Sequence, residues 1–373
     1  MSHLLHDALS YGVPFVVVLT ILVFVHEFGH FIVARWNGVR VEVFSIGFGP
    51  EVFGWHDRTG TRWKFSALPL GGYVKMFGDA DPSSGLPITD LSQLPERDRA
   101  VSFHAKRLGQ RAAIVVAGPA ANFVFAFVAL AVLFMVYGQP FAPPVVGQVT
   151  AGSAAAAAGL RPADRIVSIN GRKIGSFEAV AQAVSLDPGL PMRIVVARGG
   201  HDVTLSATPK RTELTDRFGF KHEIWRLGIS SQHGADYVRQ NPATAALQAG
   251  AAVWDVTAST GQYVWQMVIG LRGTSGLGGP VRIAQLSGEV VQLGMKEVLW
   301  FLAVLSINLG LINLFPVPVL DGGHLLFYAA EAVRGKPLGQ KAQEYGFRIG
   351  LALVLTLMVF ATWNDVVHLL TRS

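Results

Sequence analysis

The sequence predicts a membrane α-helical protein of about four transmembrane helices, with a membrane-associated β-hairpin region and an inserted extracytoplasmic α+β domain. Three observations carry this. Charged residues make up 15% of the 373 residues against 51% hydrophobic, whereas a soluble domain usually carries about 25% charged residues. The apolar residues gather into four long runs, at 12–34, 112–137, 298–315 and 346–370. Between the second and third runs, residues 145–209 change to the alternating pattern of a small folded module.

Each run reaches or nearly reaches the ~18–20 residues that cross a ~30 Å hydrocarbon core. Four such runs rarely coexist in a soluble chain of this size. The first run reads as a retained span. Residues 1–11 hold no Lys or Arg, the run is long for a signal-peptide core, and no tidy cleavage site follows. There is no cysteine, so a metal must be held by His, Asp or Glu. The net charge of +6 comes without a Lys/Arg block, which argues against a nucleic-acid partner.

Short-loop charges set the orientation. Arg35 and Arg40 follow the first run, and Lys106, Arg107 and Arg111 precede the second. Arg334, Lys336 and Lys341 separate the third and fourth. The positive-inside rule then puts 36–111 and 335–345 in the cytoplasm, with both termini and 138–297 outside.

The expected order follows. Residues 1–36 carry the first span and 37–111 a cytoplasmic-side hairpin and loop region. Within it, 41–80 reads as short strands with a bend at Gly71-Gly72, and 81–105, with Pro82, Pro87 and Pro95, as an exposed loop. Residues 112–137 are the second span and 138–210 the α+β module, with turns at Asn170-Gly171 and Gly199-Gly200. Residues 211–297 read as a linker and membrane-surface helical region: 210–240 irregular, 242–270 weakly helical, Gly273–Gly279 a glycine-rich break. Residues 298–334 are a third, broken span, because Pro316 and Pro318 cannot continue a helix. Residues 346–370 are the fourth.

The first span contains His26-Glu27-Phe28-Gly29-His30. Positions i and i+4 share a helix face, so both imidazoles can hold one ion while Glu27 reaches a water on it. Ionisable groups inside an apolar span are costly when idle, which favours function over a polar patch gluing helices. A catalytic zinc takes a third protein ligand. Asp321, beyond the prolines, is one candidate, and its alternative reading is a cap for the helix that follows. His324 is a rival ligand, or a group supporting the ligands.

Three motifs in this order resemble the site-2 protease family of intramembrane zinc metalloproteases, closest to its bacterial regulator-of-sigma-E type. They are HEFGH in the first span, Gly118-Pro119-Ala120-Ala121-Asn122 in the second, and NLFPVPVLDGGH in the third. The resemblance covers nearly the whole chain. It implies one Zn2+ per chain held by His26, His30 and Asp321, with Glu27 as general base. It implies that Asn308 and Asn313 hold the substrate backbone or an oxyanion, against a bland reading of interhelical hydrogen bonding. It likens Gly72, Tyr73, Val74 and Lys75 to a membrane-dipping strand that pairs with an extended substrate. Asn122 and its neighbours read as packing.

The 145–209 module resembles a PDZ domain of permuted bacterial kind, and one copy is evident where some relatives carry two. The implied partners are the lipid bilayer, single-span membrane substrates such as anti-sigma factors or remnant signal peptides, and a peptide or periplasmic partner at the module. The implied location is the bacterial inner membrane, with the zinc site near its cytoplasmic side. Three other readings are a metalloprotease with a soluble-facing site, a non-enzymatic scaffold, and a metal transporter. They would respectively show a Glu ligand on a later helix, no need of Glu27, and inverted repeats. The strong third-ligand candidate here is Asp321 in a broken span, no inverted repeat is evident, and zinc analysis of the purified protein separates the scaffold reading from the enzyme.

Overall fold

The first helix, α1 (Val13–Trp36), has proline at its start, a long apolar body and Arg35 in its last turn. Proline is tolerated there because the first N–H groups of a helix have no partner, and the terminal arginine complements the helix dipole. The computed structural model describes residues 8–78, 95–187, 189–215, 221–232, 236–271 and 278–370. Pro82 and Pro87 of the expected loop, and most of the Gly273–Gly279 break, lie outside the described residues.

Along the chain come β1 (Val41–His56), β2 (Arg62–Met76), a short α2 (Glu96–Val101) and α3 (Leu108–Val136). The helix α2 falls where a loop is expected. Glu96 and Asp98 sit in its first turn, where acidic side chains favour a helix start. Next are β3 (Gln139–Phe141), β4 (Val146–Val149), α4 (Ala154–Ala157), β5 (Arg165–Ile169), β6 (Arg172–Lys173), α5 (Phe177–Leu186), β7 (Met192–Arg198) and β8 (His201–Ala207). Then follow β9 (Lys210–Thr215), β10 (Lys221–Arg226), β11 (Ile229–Ser231), β12 (Asp236–Val238) and α6 (Pro242–Val268). The chain ends with α7 (Pro280–Leu293), α8 (Met295–Asn313), α9 (Asp321–Arg334) and α10 (Gln340–Leu370). Among the described residues four helices are long and apolar enough to cross a membrane: Leu9–Trp36, Leu108–Val136, Met295–Asn313 and Lys341–Val367.

The chain divides into two compact units. The first holds residues 1–130 and 280–361. In it β1 and β2 each bend back, so that Phe44 pairs with Val74 on one side and with Trp63 on the other. Trp63 also pairs with Trp55. Residues 72–76 therefore form one edge of the sheet. Phe31, Phe44, Met76, Phe103 and Ile114 form a core cluster, with Trp63, Leu325 and Tyr328 packed on it. Trp63 stacks on Phe44 at 4.3 Å between ring centres. Helices α1 and α3 touch through small residues: a Cβ on Gly29 would lie 2.2 Å from the Ala117 carbonyl oxygen and 2.7 Å from Ala121 Cβ. Without a hydrophobic drive between helices in lipid, such close approach is a main source of association.

The second unit holds residues 131–279 and 362–373. Its sheet runs β6-β5-β7-β8, over a core that includes Val146, Ile166, Ile169, Val180, Val184, Met192, Ile194 and Val196. The β5–β6 turn has positive φ at Asn170 and Gly171, 49° and 81°, as a tight hairpin turn requires. Ser176 caps α5 by accepting from the Ala179 N–H. Residues 210–240, read as irregular from sequence, contain strands: β9 and β10 pair with each other, β11 with β4, and β12 with β3. Strands β11 and β12 are three residues long, and their partners lie some 80 to 100 positions upstream, so no local periodicity marks them.

Asp164 is 1% exposed. Burial opposes its charge, but Arg198 grips it at 2.7 Å through both Nε and Nη2, and the Arg161 N–H donates at 2.8 Å. These hold its carboxyl below the usual range. A lowered folded pKa gives stability that is complete above the unfolded value, ~3.9. That stability is lost as the pH falls through the folded value. Protection against hydrogen exchange across 145–207, taken relative to the intrinsic exchange rate at each pH, should therefore fall as the pH drops below ~4, and Asp164→Asn should flatten that acid limb. An unchanged acid limb in the variant contradicts the assignment.

Candidate metal centre

His26 and His30 lie on one face of α1 because a helix repeats every 3.6 residues. Both are 9% exposed, and their Nε2 atoms are 3.2 Å apart. Asp321, in the first turn of α9, brings Oδ2 to 3.1 Å from His26 Nε2 and 3.5 Å from His30 Nε2. The three side chains thus offer ligand atoms to one point. The residue capping α9 is Leu320, with no side-chain cap bond, so Asp321 is not spent as a cap. His324 is exposed and meets Phe327 edge-on; it stands outside the convergent group.

A metal fits this donor set. Zinc bonds of about 2.0–2.1 Å in a tetrahedron separate neighbouring ligands by about 3.3–3.4 Å, close to the three distances above. His30 Nδ1 lies 2.8 Å from the Ile114 carbonyl, which can only accept, so Nδ1 carries the proton and Nε2 keeps a lone pair. His26 Nδ1 lies 3.0 Å from the side-chain amide of Asn122. Asn122 Oδ1 has no partner with the nitrogen placed toward His26. Turned about, Oδ1 accepts from Nδ1–H and His26 Nε2 is also a lone pair. Asp321 Oδ2 is buried without a hydrogen-bond partner. Two lone pairs and a carboxylate oxygen then face one another, an arrangement that repels until a cation enters.

One face of α3 supports both imidazoles. Ile114, Gly118 and Asn122, four residues apart, meet His30, His30 and His26 in turn. The sequence marks Gly118 and Asn122 of this face as packing residues. Its signal was present in the spacing of Gly118 and Asn122, but the partners lie some 90 residues away. Asn122 also accepts from Ser306 Oγ through its backbone carbonyl, tying α3 to α8.

Glu27 interacts electrostatically with His26, His30 and Asp321, and its carboxylate accepts a hydrogen bond from the Val74 backbone N–H. A Cβ on Gly72 would lie 3.6 Å from Glu27 Cγ and 3.2 Å from Val23 Cγ1. The edge segment 72–76 is thus laid against α1 beside Glu27. Tyr73 stacks with Phe48 and lies under Lys64, and Lys75 pairs with Glu42. Asn308 and Asn313 stand in the last two turns of α8, ahead of the proline break and outside the convergent group of His26, His30 and Asp321.

Residues 14–357 match peptidase family M50. The chain is 49% identical over 364 residues to a protein of Agrobacterium fabrum named "putative zinc metalloprotease", with 97% of each chain covered. It is 48% identical to a Rhizobium meliloti protein of the same description, over 97% of this chain and 98% of that one. It is 38% identical to the metalloprotease MmpA of Caulobacter vibrioides, over 93% of both. With its four membrane-length helices, the chain is a multi-pass membrane protein, and it belongs to peptidase family M50, the site-2 protease family of zinc metalloproteases.

Proposed function

We propose that this protein cuts single-span membrane proteins within or near the bilayer, using zinc held by His26, His30 and Asp321. The observation that carries the reading is the meeting of three ligand atoms from two apolar-flanked segments, 295 positions apart at the extremes. When bound there, zinc supplies a Lewis acid for the scissile carbonyl and for a water. Glu27 is the general base: it accepts the proton of the attacking water and passes it to the leaving amine. The Val74 N–H fixes the Glu27 carboxylate for that transfer. Asn313 donates to the developing oxyanion and Asn308 to the substrate backbone. Both precede the break that leads to Asp321.

A transmembrane helix resists cutting because its carbonyls are hydrogen-bonded and shielded. We read residues 72–75 as the edge on which an unwound substrate segment pairs; their place at the sheet edge beside Glu27 supports this. The unit around β4–β8 is read as a PDZ-like module outside the inner membrane, docking or screening substrates, with both termini on that side. The cytoplasmic-loop arginines and lysines support this orientation. Anti-sigma factors and remnant signal peptides are substrates of the right form.

The test is cleavage of a single-span substrate by the purified protein in lipid nanodiscs, with the cut mapped by mass spectrometry. The expected cut lies inside the span or at its edge. Glu27→Gln should lose about 10²–10⁴ in rate while keeping its zinc. Cleavage confined to soluble peptides, or full activity of Glu27→Gln, overturns the reading.

A further inference from the structure

We propose that Arg111 is a positioning residue for the third metal ligand, registering α9 on α3 so that Asp321 meets the two histidines. The proposal rests on the reading of His26, His30 and Asp321 as the zinc ligands. The start of α9 is weakly fastened for a segment that must place one oxygen. Leu320 provides no side-chain cap. Gly322 and Gly323 sit against the backbone of 314–318, where a Cβ would come within 2.3 Å of carbonyl oxygens. They permit the close approach but present no side chain to lock the helix about its axis.

The lock lies at the other end of α9. Arg111 Nη2 donates to Glu331 Oε1 at 2.5 Å, and the guanidinium carbon lies 4.9 Å from the centre of the Tyr328 ring. The Arg111 and Glu331 side chains are 13% and 17% exposed. Asp321, Leu325 and Tyr328 follow the i, i+4, i+7 spacing of one helix face. Leu325 and Tyr328 pack on the core cluster that contains Ile114. Glu331 is ten residues from Asp321, about 15 Å along the axis. A hold at that distance fixes the direction in which Asp321 points.

Arg111 stands three residues before Ile114, whose carbonyl holds His30. The same α3 carries Asn122, which holds His26. One helix thus sets both imidazoles directly and the carboxylate through Arg111. Topology alone does not account for this arginine. A charge that only marks the cytoplasmic side belongs in interfacial water; this one is largely shielded, and its buried Nε has no hydrogen-bond partner. Nor is a buried ion pair an efficient source of stability, since desolvation offsets most of the attraction. Registration of one element on another is its best-attested use.

The experiment measures zinc affinity of the full-length protein in detergent by competition with a chelator. Arg111→Ala and Glu331→Ala should bind zinc about 10–100-fold more weakly, the usual range for residues that orient ligands. The exchange Arg111→Glu with Glu331→Arg should recover most of the loss. Arg198→Ala, which leaves the buried Asp164 in the other unit without its partner, should lower thermal stability and leave zinc affinity unchanged. Glu331→Gln, which keeps the side-chain shape, replaces Arg111→Ala if that variant does not fold. Wild-type zinc affinity in either folded variant overturns the proposal, as does an equal loss in Arg198→Ala. Asp321→Asn runs in parallel: if it also keeps its zinc, the ligand reading itself has failed.

Discussion

Gly118→Ala should abolish zinc binding and cleavage while leaving the helix intact. An added Cβ would lie 2.2 Å from His30 Nε2, 2.6 Å from Cε1 and 2.8 Å from Cδ2. All three are below 3.0 Å, a separation that real Cβ atoms do not tolerate, so the ring must move. It cannot move freely, because Nδ1 is held by the Ile114 carbonyl at 2.8 Å. Turning the ring breaks that bond and takes Nε2 off the point it shares with His26 and Asp321. Glycine to alanine in a helix interior ordinarily stabilises by about 1 kcal/mol, so the helix itself gives no reason for failure. Metal analysis and a cleavage assay on the purified variant check this. Zinc retention with wild-type activity would mean that His30 is not fixed against Gly118.

The same contact shows what could be read in the sequence. His26 and His30 were legible because helix spacing is local: four residues suffice to place two imidazoles on one face. The four spans were legible because hydrophobic length is also local. Asp321 was only half legible. Residue types and prolines left metal ligand and helix cap open, and likeness to a family chose between them. Geometry adds that Leu320 occupies the cap position and that His324 points elsewhere. Gly118 and Asn122 read as packing, and Ile114 carries no signal of its own, because what they support lies 84 to 96 residues away. The Val74 N–H that holds Glu27 is a backbone group and has no residue signature at all. Arg111 was legible as a charge beside a span, but not as the partner of Glu331, 220 positions on. Strands β11 and β12 were missed for a related reason: they are short, and only a distant partner makes them strands.

Asp321→Asn should be the second most damaging change. It keeps the shape of the side chain and removes the charge that two lone-pair nitrogens need opposite a dication. Four ligands at a zinc site together supply about 10–16 kcal/mol. One protein ligand is therefore worth on the order of 3 kcal/mol, roughly 10²-fold in affinity. Outside the metal, the variant changes little. Asp321 makes no capping bond, and the packing of α9 through Leu325 and Tyr328 is untouched.

The account stands on one claim: that the two histidines of the first span and the aspartate beyond the proline break hold a single zinc. Zinc X-ray absorption on the purified full-length protein tests it most directly, with metal content measured alongside for wild type and Asp321→Asn. The predicted result is about one zinc per wild-type chain, with a first shell of two imidazole nitrogens and light oxygen ligands and no sulfur. Asp321→Asn should lose most of that metal under mild chelation. A wild-type spectrum with a single imidazole, or a variant that keeps its zinc and an unchanged first shell, would contradict it.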